Sequence, residues 1–325
     1  MPRSLLSSPW LLSLWLSLWL SLWLGCAHGG SGVNVTAMLH NEWLPSRQAQ
    51  VKVERSVMET SSYRAKVTWL GAVTAMCLAG YDFRVDSGGE QGVFTRRGGA
   101  DAATGPCSIP AVVHQTWKTV DIRTHSPDAV ECNSALRRHS PDFFHVHWTD
   151  FEIMDFIKEF YADQFNYYLR LNMNIKRADI ARYLILHKFG GVYFDLDVEL
   201  KVPLRQLVPP NEASFISYRS KEFEKRKDPF AGNAFFACSP ASPVVWAVVR
   251  HAMGFSNPAV KDVYGVLRHT GPMALGLIVQ RVQSRPADFV PNQIIKIFNS
   301  SVIGNVEDGP WGAVHRRKHH WGPVR

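Results

Sequence analysis

The stretch Lys176–Leu200, KRADIARYLILHKFGGVYFDLDVEL, constrains the chain more than any other. From Lys176 to Lys188 the apolar residues recur at helical spacing, so Ala178, Ala181, Leu184 and Ile185 share one face. Asp179 and Arg182, three apart, fall together on a more polar stripe. Gly190 and Gly191 mark the helix stop, because glycine enters the left-handed conformation without a Cβ clash. Val192, Tyr193 and Phe194 then supply β-branched and aromatic residues for a short strand. Asp195 and Asp197 follow it. The strand ends in them, and because a strand alternates faces every residue, both carboxylates face one way and Leu196 the other. They stand at the carboxyl end of the strand, where open α/β sheets place ligands. Two such carboxylates repel each other unless positive charge lies between them, and a hard divalent cation is the simplest counter-charge.

Strand and helix signals on either side of this stretch predict an α/β fold. Ile109–Trp117 reads as a first strand. A helix is expected around Asp128–His139, closed by Pro141, and a second strand at Phe143–Trp148. Thr149 or Asp150 caps a further helix with apolar Ile153, Phe156, Ile157 and Phe160. Strands alternating with helices in this order argue for a mostly parallel sheet. Downstream, Phe215–Tyr218 reads as a short strand, Phe230–Ala237 as a return to the core, and Pro243–Met253 as an amphipathic helix. Lys221–Asp228 reads as a solvated charge run, and Pro272 opens a last helix. Asn233 stands alone among apolar neighbours, so its amide meets either backbone or a ligand.

Residues 1–24 are nearly all Leu, Trp and Ser, with Arg3 the only charge. The run Leu5–Leu24 has the length of a bilayer span, roughly 20 residues, and equally suits a signal peptide ending near Gly25–Ala27. We therefore assign 1–30 to a signal peptide or signal anchor and 31–106 to a Gly-rich stem or linker. The apolar run Val67–Tyr81 within that linker reads either as a second anchor, basic before and acidic after, or as a buried helix. Residues 107–325 are the expected catalytic domain. Asn34 and Asn299 lie in glycosylation sequons.

The formal net charge is +8, which suits anionic small molecules or an acidic membrane surface. No stretch interleaves basic and aromatic residues as a nucleic-acid reader would, so no nucleic-acid partner is expected. Five cysteines without a C-x-x-C pair exclude a structural zinc site and a disulfide-dense scaffold. Cys107 and Cys132 form one candidate bridge.

The joined run R-A-D-I-A-R-Y, G-G-V-Y-F, D-L-D resembles the DXD-motif glycosyltransferases of family 32. That family includes yeast-type α-1,6-mannosyltransferases, inositol-phosphoceramide mannosyltransferases, and galactosyl- and N-acetylglucosaminyltransferases. The opening I-P-x-x-V-H-Q-T-W-K-T is similar to the family's first strand, which holds the nucleotide. The resemblance implies a GT-A-like, Rossmann-type, mostly parallel sheet flanked by helices, behind an N-terminal membrane or signal segment. It implies Mn²⁺ or Mg²⁺ at Asp195 and Asp197, with Asp197 the direct ligand and Asp195 acting through water or the ribose. It further implies that Asp179 and Arg182 grip the donor sugar, and that Thr116, Trp117, Tyr193, Asn233, His320 and Trp321 contact the donor. His319–Trp321 match the family's H-H-W closing segment, but Gly-Pro-Val-Arg stands where relatives carry S-W.

The implied reaction is retaining transfer of a hexose, mannose from GDP-mannose first, to a glycan or sphingolipid in the Golgi lumen. No nucleophile is apparent, which favours same-face attack by the acceptor. Two other readings compete. A haloacid-dehalogenase-type phosphatase also uses strand-D-x-D, but continues Gly-Thr and not Val198-Glu199. A non-catalytic sugar-nucleotide or glycan binder would keep the pocket without turnover.

Overall fold

The computed structural model describes residues 62–85, 92–96, 108–219, 221, 228–256, 259–286, 293–306 and 309–316. The signal or anchor assignment at 1–30, Asn34, Cys107, His320 and Trp321 all lie outside the described residues.

The central sheet forms from β3 (Val112–Trp117), β4 (Phe144–Thr149), β5 (Gly191–Phe194), β7 (Phe215–Tyr218), β8 (Phe235–Cys238) and β9 (Ile295–Phe298). Its order is β4-β3-β5-β8-β7-β9. β3 pairs parallel with β4 and β5, and β7 with β9. β8 alone runs antiparallel, between β5 and β7. The expected mostly parallel sheet is therefore observed. β5, β7 and β8 are buried throughout and β3 and β4 except near their carboxyl ends, as a sheet covered on both faces requires. β9 sits at the edge and is only half-buried.

The helices follow their local signals. Ser126 caps α2 (Pro127–His139), its side chain accepting from the Ala129 amide. Thr149 and Glu152 close a reciprocal capping box on α3 (Asp150–Phe160). After α4 (Ala162–Arg170) comes α5 (Asn174–Phe189), the expected central helix. It is packed on nearly every side, so Lys176, Asp179 and Arg182 are buried with the apolar residues. This corrects the expected polar stripe: the period marks the helix, but neighbouring elements cover both faces. Beyond the sheet's middle, α7 (Pro243–Met253) packs on α5 and on α9 (Pro272–Ser284), with α8 (Val263–His269) between them in sequence.

The chain folds further upstream than residue 107. Helix α1 (Tyr63–Leu78) leads into a hairpin of β1 (Tyr81–Val85) and β2 (Gly92–Arg96). Trp69 sets its ring edge against Phe83 and Phe144, with centroids 5.5 and 5.0 Å apart. Lys66 is buried too, donating to the His147 carbonyl at 2.8 Å and to Glu152 at 2.7 Å. Val67, Leu70, Val73 and Met76 of α1 are buried, and Tyr81 begins β1 rather than continuing the helix. The apolar positions Phe83, Val85 and Phe94 draw part of the supposed linker into the core. Among the described residues no helix is long and apolar enough to cross a membrane. Cys132 and Cys238 are buried, and the expected partner of Cys132, Cys107, lies outside the described residues.

The Gly190-Gly191 stop sets the path into β5. Gly190 has φ 67° and Gly191 φ 100°, both in the region that side chains avoid. A Cβ on Gly191 would stand 2.6 Å from the Val112 carbonyl oxygen of β3. His114 fixes the same reversal from β3. Trp148 Nε1–H donates to His114 Nδ1 at 3.1 Å, so His114 Nε2–H donates to the Gly190 carbonyl at 3.0 Å. The ring is thus satisfied as a neutral imidazole, and burial lowers its pKa to about 3. Replacing Gly191 by Ala combines a forbidden φ with a backbone clash. Gly191→Ala should lose at least about 2 kcal/mol of stability in urea unfolding; an unchanged midpoint would contradict this account of the turn.

Candidate active site

The carboxyl ends of β3, β4 and β5 share one rim of the sheet, and the site is built there. β5 stops at Phe194, so Asp195 and Asp197 lie on a turn rather than on a continuing strand. The Val198 amide donates to the Asp195 carbonyl at 3.2 Å, which closes the turn. Leu196 is buried at 3% exposure, while the two aspartate side chains keep 26% and 23%. The predicted division of faces holds, although a turn and not strand alternation produces it.

Three elements hold Asp195. Its amide donates to the Ala234 carbonyl at 2.7 Å, just before β8. Tyr193 Oη donates to Asp195 Oδ1 at 2.9 Å. That use of its only hydrogen means Thr116 Oγ1, at 2.9 Å, donates to Tyr193. Arg182 Nη1 lies 3.0 Å from Asp195 Oδ1 and 3.2 Å from Oδ2. The guanidinium also donates to the Asn233 carbonyl at 2.8 Å and stacks over the Tyr193 ring at 4.7 Å. Arg182 is only 4% exposed. Burial works against its charge, but Asp195 and Asp179 hold the guanidinium ionised.

Asp179 lies behind this layer. Its Oδ1 accepts from Asn233 Nδ2 at 2.8 Å and lies 3.5 Å from Arg182 Nη2. Its Oδ2 accepts from Thr270 Oγ1 at 2.8 Å. Asn233 donates again to Tyr183 Oη at 3.1 Å, so its amide hydrogens are spent inside the protein. Asp179 therefore ties α5 to the loop before β8 and to the α8–α9 junction. Burial pushes its carboxyl up to about 6, against the opposing pull of Arg182, Thr270 and Asn233.

Asp197 differs from Asp195. Its carboxylate meets an imidazole: His315 Nε2 stands 3.3 Å from Asp197 Oδ1. Burial would raise the Asp197 carboxyl, but the hydrogen bond and charge of His315 and the charge of His125 outweigh it and leave it below its ordinary range. Asp195, Asp197 and His315 each offer a ligand atom, all within 4.8 Å of one another. His315 Nδ1 is buried without a hydrogen-bond partner among the described residues. Two carboxylates and an imidazole suit a first-row divalent cation. His315 arrives on β11 (Ala313–His315), which pairs antiparallel with β6 (Val198–Leu200) and parallel with β10 (Ile303–Asn305). Sequence reasoning missed His315: it followed the later histidines of the closing segment, His319 and His320.

The other expected donor residues scatter by depth. Thr116 and Tyr193 back up Asp195, and Tyr193 is only 1% exposed. Trp117 is half-buried at the rim, its indole N–H donating to Thr124 Oγ1 at 2.7 Å and its ring edge-on to His125 at 4.5 Å. Asp179, Arg182, Thr116, Tyr193, Asn233 and Asp195 thus join one connected network, with an Asp197 carboxylate oxygen within 4.8 Å of Asp195 and Trp117 at the rim.

Comparison with known proteins agrees with the resemblance read from the motif. Residues 127–214 match the family described as a glycosyltransferase sugar-binding region containing a DXD motif. Inositol phosphoceramide mannosyltransferase 1 of Schizosaccharomyces pombe is 31% identical over 199 residues, covering 61% of this chain and 58% of that protein. Mannosyl phosphorylinositol ceramide synthase SUR1 of Saccharomyces cerevisiae is 41% identical over 97 residues, 30% of this chain and 25% of its own length. The chain thus spans little more than half of the longer-matching relative. Among solved structures, the PaToxG glycosyltransferase aligns with a TM-score of 0.41 and 16% identity over 72% of this chain and 80% of its own.

The buried ion cluster makes a stability prediction. Asp179→Ala strands Arg182, Asn233 and Thr270 in a dry site, and breaking a buried pair from one side costs about 3–5 kcal/mol. Urea unfolding should show a loss of that size; a variant as stable as the parent would mean that Asp179 does not brace these elements.

Proposed function

We propose that this chain, whose residues 127–214 are a DXD-containing glycosyltransferase sugar-binding region, is a divalent-metal-dependent hexosyltransferase acting on a sugar nucleotide. The observation that carries the reading is the convergence of Asp195, Asp197 and His315 on one point at the sheet rim. Mannose from GDP-mannose is the favoured donor and a glycolipid or glycan the acceptor. Relatives named as inositol phosphoceramide mannosyltransferases support that choice. The secretory pathway, most simply the Golgi membrane with the catalytic region in the lumen, is the matching location, reached through the 1–30 segment.

Asp197 and His315 would hold Mn²⁺ or Mg²⁺ directly, with Asp195 beside them. When bound, the cation supplies Lewis-acid stabilisation of the negative charge that builds on the departing nucleoside diphosphate. The protein's own residues do the positioning. Arg182 and Tyr193 fix both oxygens of Asp195, so its remaining lone pairs point outward toward a bound hydroxyl or water. Trp117, anchored by Thr124, offers a rim surface on which a base stacks. Arg182 and Asp179 act on the donor sugar through this frame rather than as free side chains, because both are buried and bonded. Among the described residues no carboxylate beyond this set stands out as a nucleophile, in keeping with retaining transfer by same-face attack of the acceptor hydroxyl.

The test is release of nucleotide from a panel of sugar nucleotides with and without Mn²⁺. GDP-mannose turnover should depend on the metal and fall at least about 100-fold in Asp197→Ala, several kcal/mol of lost stabilisation. The far-UV circular dichroism should be unchanged. Undiminished turnover in that variant, or no metal-dependent release from any donor, would reject the reading.

A further inference from the structure

The metal-site reading leaves one charged group near the turn unused, and it sits where the third ligand arrives. Arg316 follows His315 directly. Its amide donates to the Asp197 carbonyl at 2.9 Å. Its guanidinium is gripped from two sides. Nε donates to Glu199 Oε2 at 2.9 Å, and Nη2 lies 2.7 Å from the same oxygen. Nη1 and Nη2 donate to the two oxygens of Glu131 at 2.8 and 3.2 Å. Glu199 belongs to β6 and Glu131 to α2, so one side chain clamps the C-terminal strand to both elements. The Arg316 and Glu199 side chains keep only 25% and 22% exposure, whereas Glu131 keeps 63%.

β11 needs such a clamp. It is three residues long and pairs with two strands of the same length. A slip of one residue in so short a strand turns every side chain to the opposite face. His315 would then leave Asp197. The fork of a guanidinium fits two carboxylates in fixed geometry, which an ammonium does not. Isolated exposed ion pairs contribute little, but an arginine held bidentately by Glu131 and by two nitrogens on one oxygen of the shielded Glu199 is a more favourable case.

We propose that Arg316 is a positioning residue for the metal site: its clamp on Glu131 and Glu199 holds β11 in the register that presents His315 to Asp197. This rests on the metal-site reading above and goes beyond it, because it makes cation affinity depend on a residue that touches no cation. The sign of the effect separates this role from plain electrostatics. Removing a positive charge beside a dication site, and freeing two carboxylates, should strengthen cation binding by Coulomb's law. Loss of positioning should weaken it.

The experiment measures Mn²⁺ binding to the full chain by electron paramagnetic resonance of the free ion, without nucleotide. It compares the parent, Arg316→Met, Arg316→Lys, His315→Ala and the double variant Arg316→Met/His315→Ala. Arg316→Met should weaken binding about tenfold, the scale on which groups behind a ligand act. Arg316→Lys should recover part of that. In the His315→Ala background Arg316→Met should have no further effect, because its influence passes through His315. Binding by Arg316→Met as tight as in the parent, or tighter, would overturn the proposal, as would a loss of equal size with and without His315. A parent chain that takes up no Mn²⁺ would overturn the metal-site reading itself and this proposal with it.

Discussion

One buried guanidinium is shared by two carboxylates, and the architecture around the rim follows from that. Arg182 lies between Asp179 and Asp195, 4% exposed, with its other hydrogens on the Ala178 and Asn233 carbonyls. A buried charge survives only if it is paired and fully hydrogen-bonded. The arrangement therefore requires α5, the β5 turn, the loop before β8 and the α8–α9 junction to meet at fixed distances. It also leaves a charge imbalance. Arg182 answers Asp179 and Asp195, and Asp197 adds a further negative charge on the outer side of the turn. Among the described residues its charge is answered by the imidazoles of His315 and His125 rather than by a second guanidinium. Ligand atoms of Asp195, Asp197 and His315 lie within 4.8 Å of one another, a set that suits a cation.

Much of this frame was legible in the local sequence, because local physics determines it. The double glycine announced a stop, and the structure places both residues at positive φ against β3 and Pro240. Thr149 or Asp150 announced a helix start, and Thr149 is the cap, in a capping box whose Glu152 the sequence reading had not singled out. Asp179 and Arg182 were recognisable as a pair by their spacing. Their burial was not, because helical periodicity reports which residues share a face and not how many neighbours pack on it. The Asp195–Asp197 spacing gave the right common orientation through the wrong geometry: strand alternation and this tight turn both place alternate residues on one side.

What stayed hidden depends on contacts between distant parts of the chain. His315 meets Asp197 only because β11 pairs with β6, and nothing within HRRKHHW distinguishes that histidine from its neighbours. Likewise α1 read either as an anchor or as a buried helix, and its hairpin as part of a stem. Their apolar residues find partners on β4, most visibly Trp69 and Phe83 against Phe144, and such pairing has no local signature. The same long-range closure gives the site two grades of carboxylate. Asp195 is held rigidly from behind by Tyr193 and Arg182, while Asp197 keeps its outward side for a ligand and shares it with a histidine from the end of the described chain.

The central claim is that Asp197 and His315 together hold a divalent cation beside Asp195. Anomalous diffraction from crystals grown with Mn²⁺ and GDP tests it most directly. The account predicts one strong manganese peak within bonding distance of an Asp197 carboxylate oxygen and a His315 ring nitrogen, with the diphosphate on its outer side. A peak elsewhere, or GDP bound at the rim with no metal between these side chains, would contradict it.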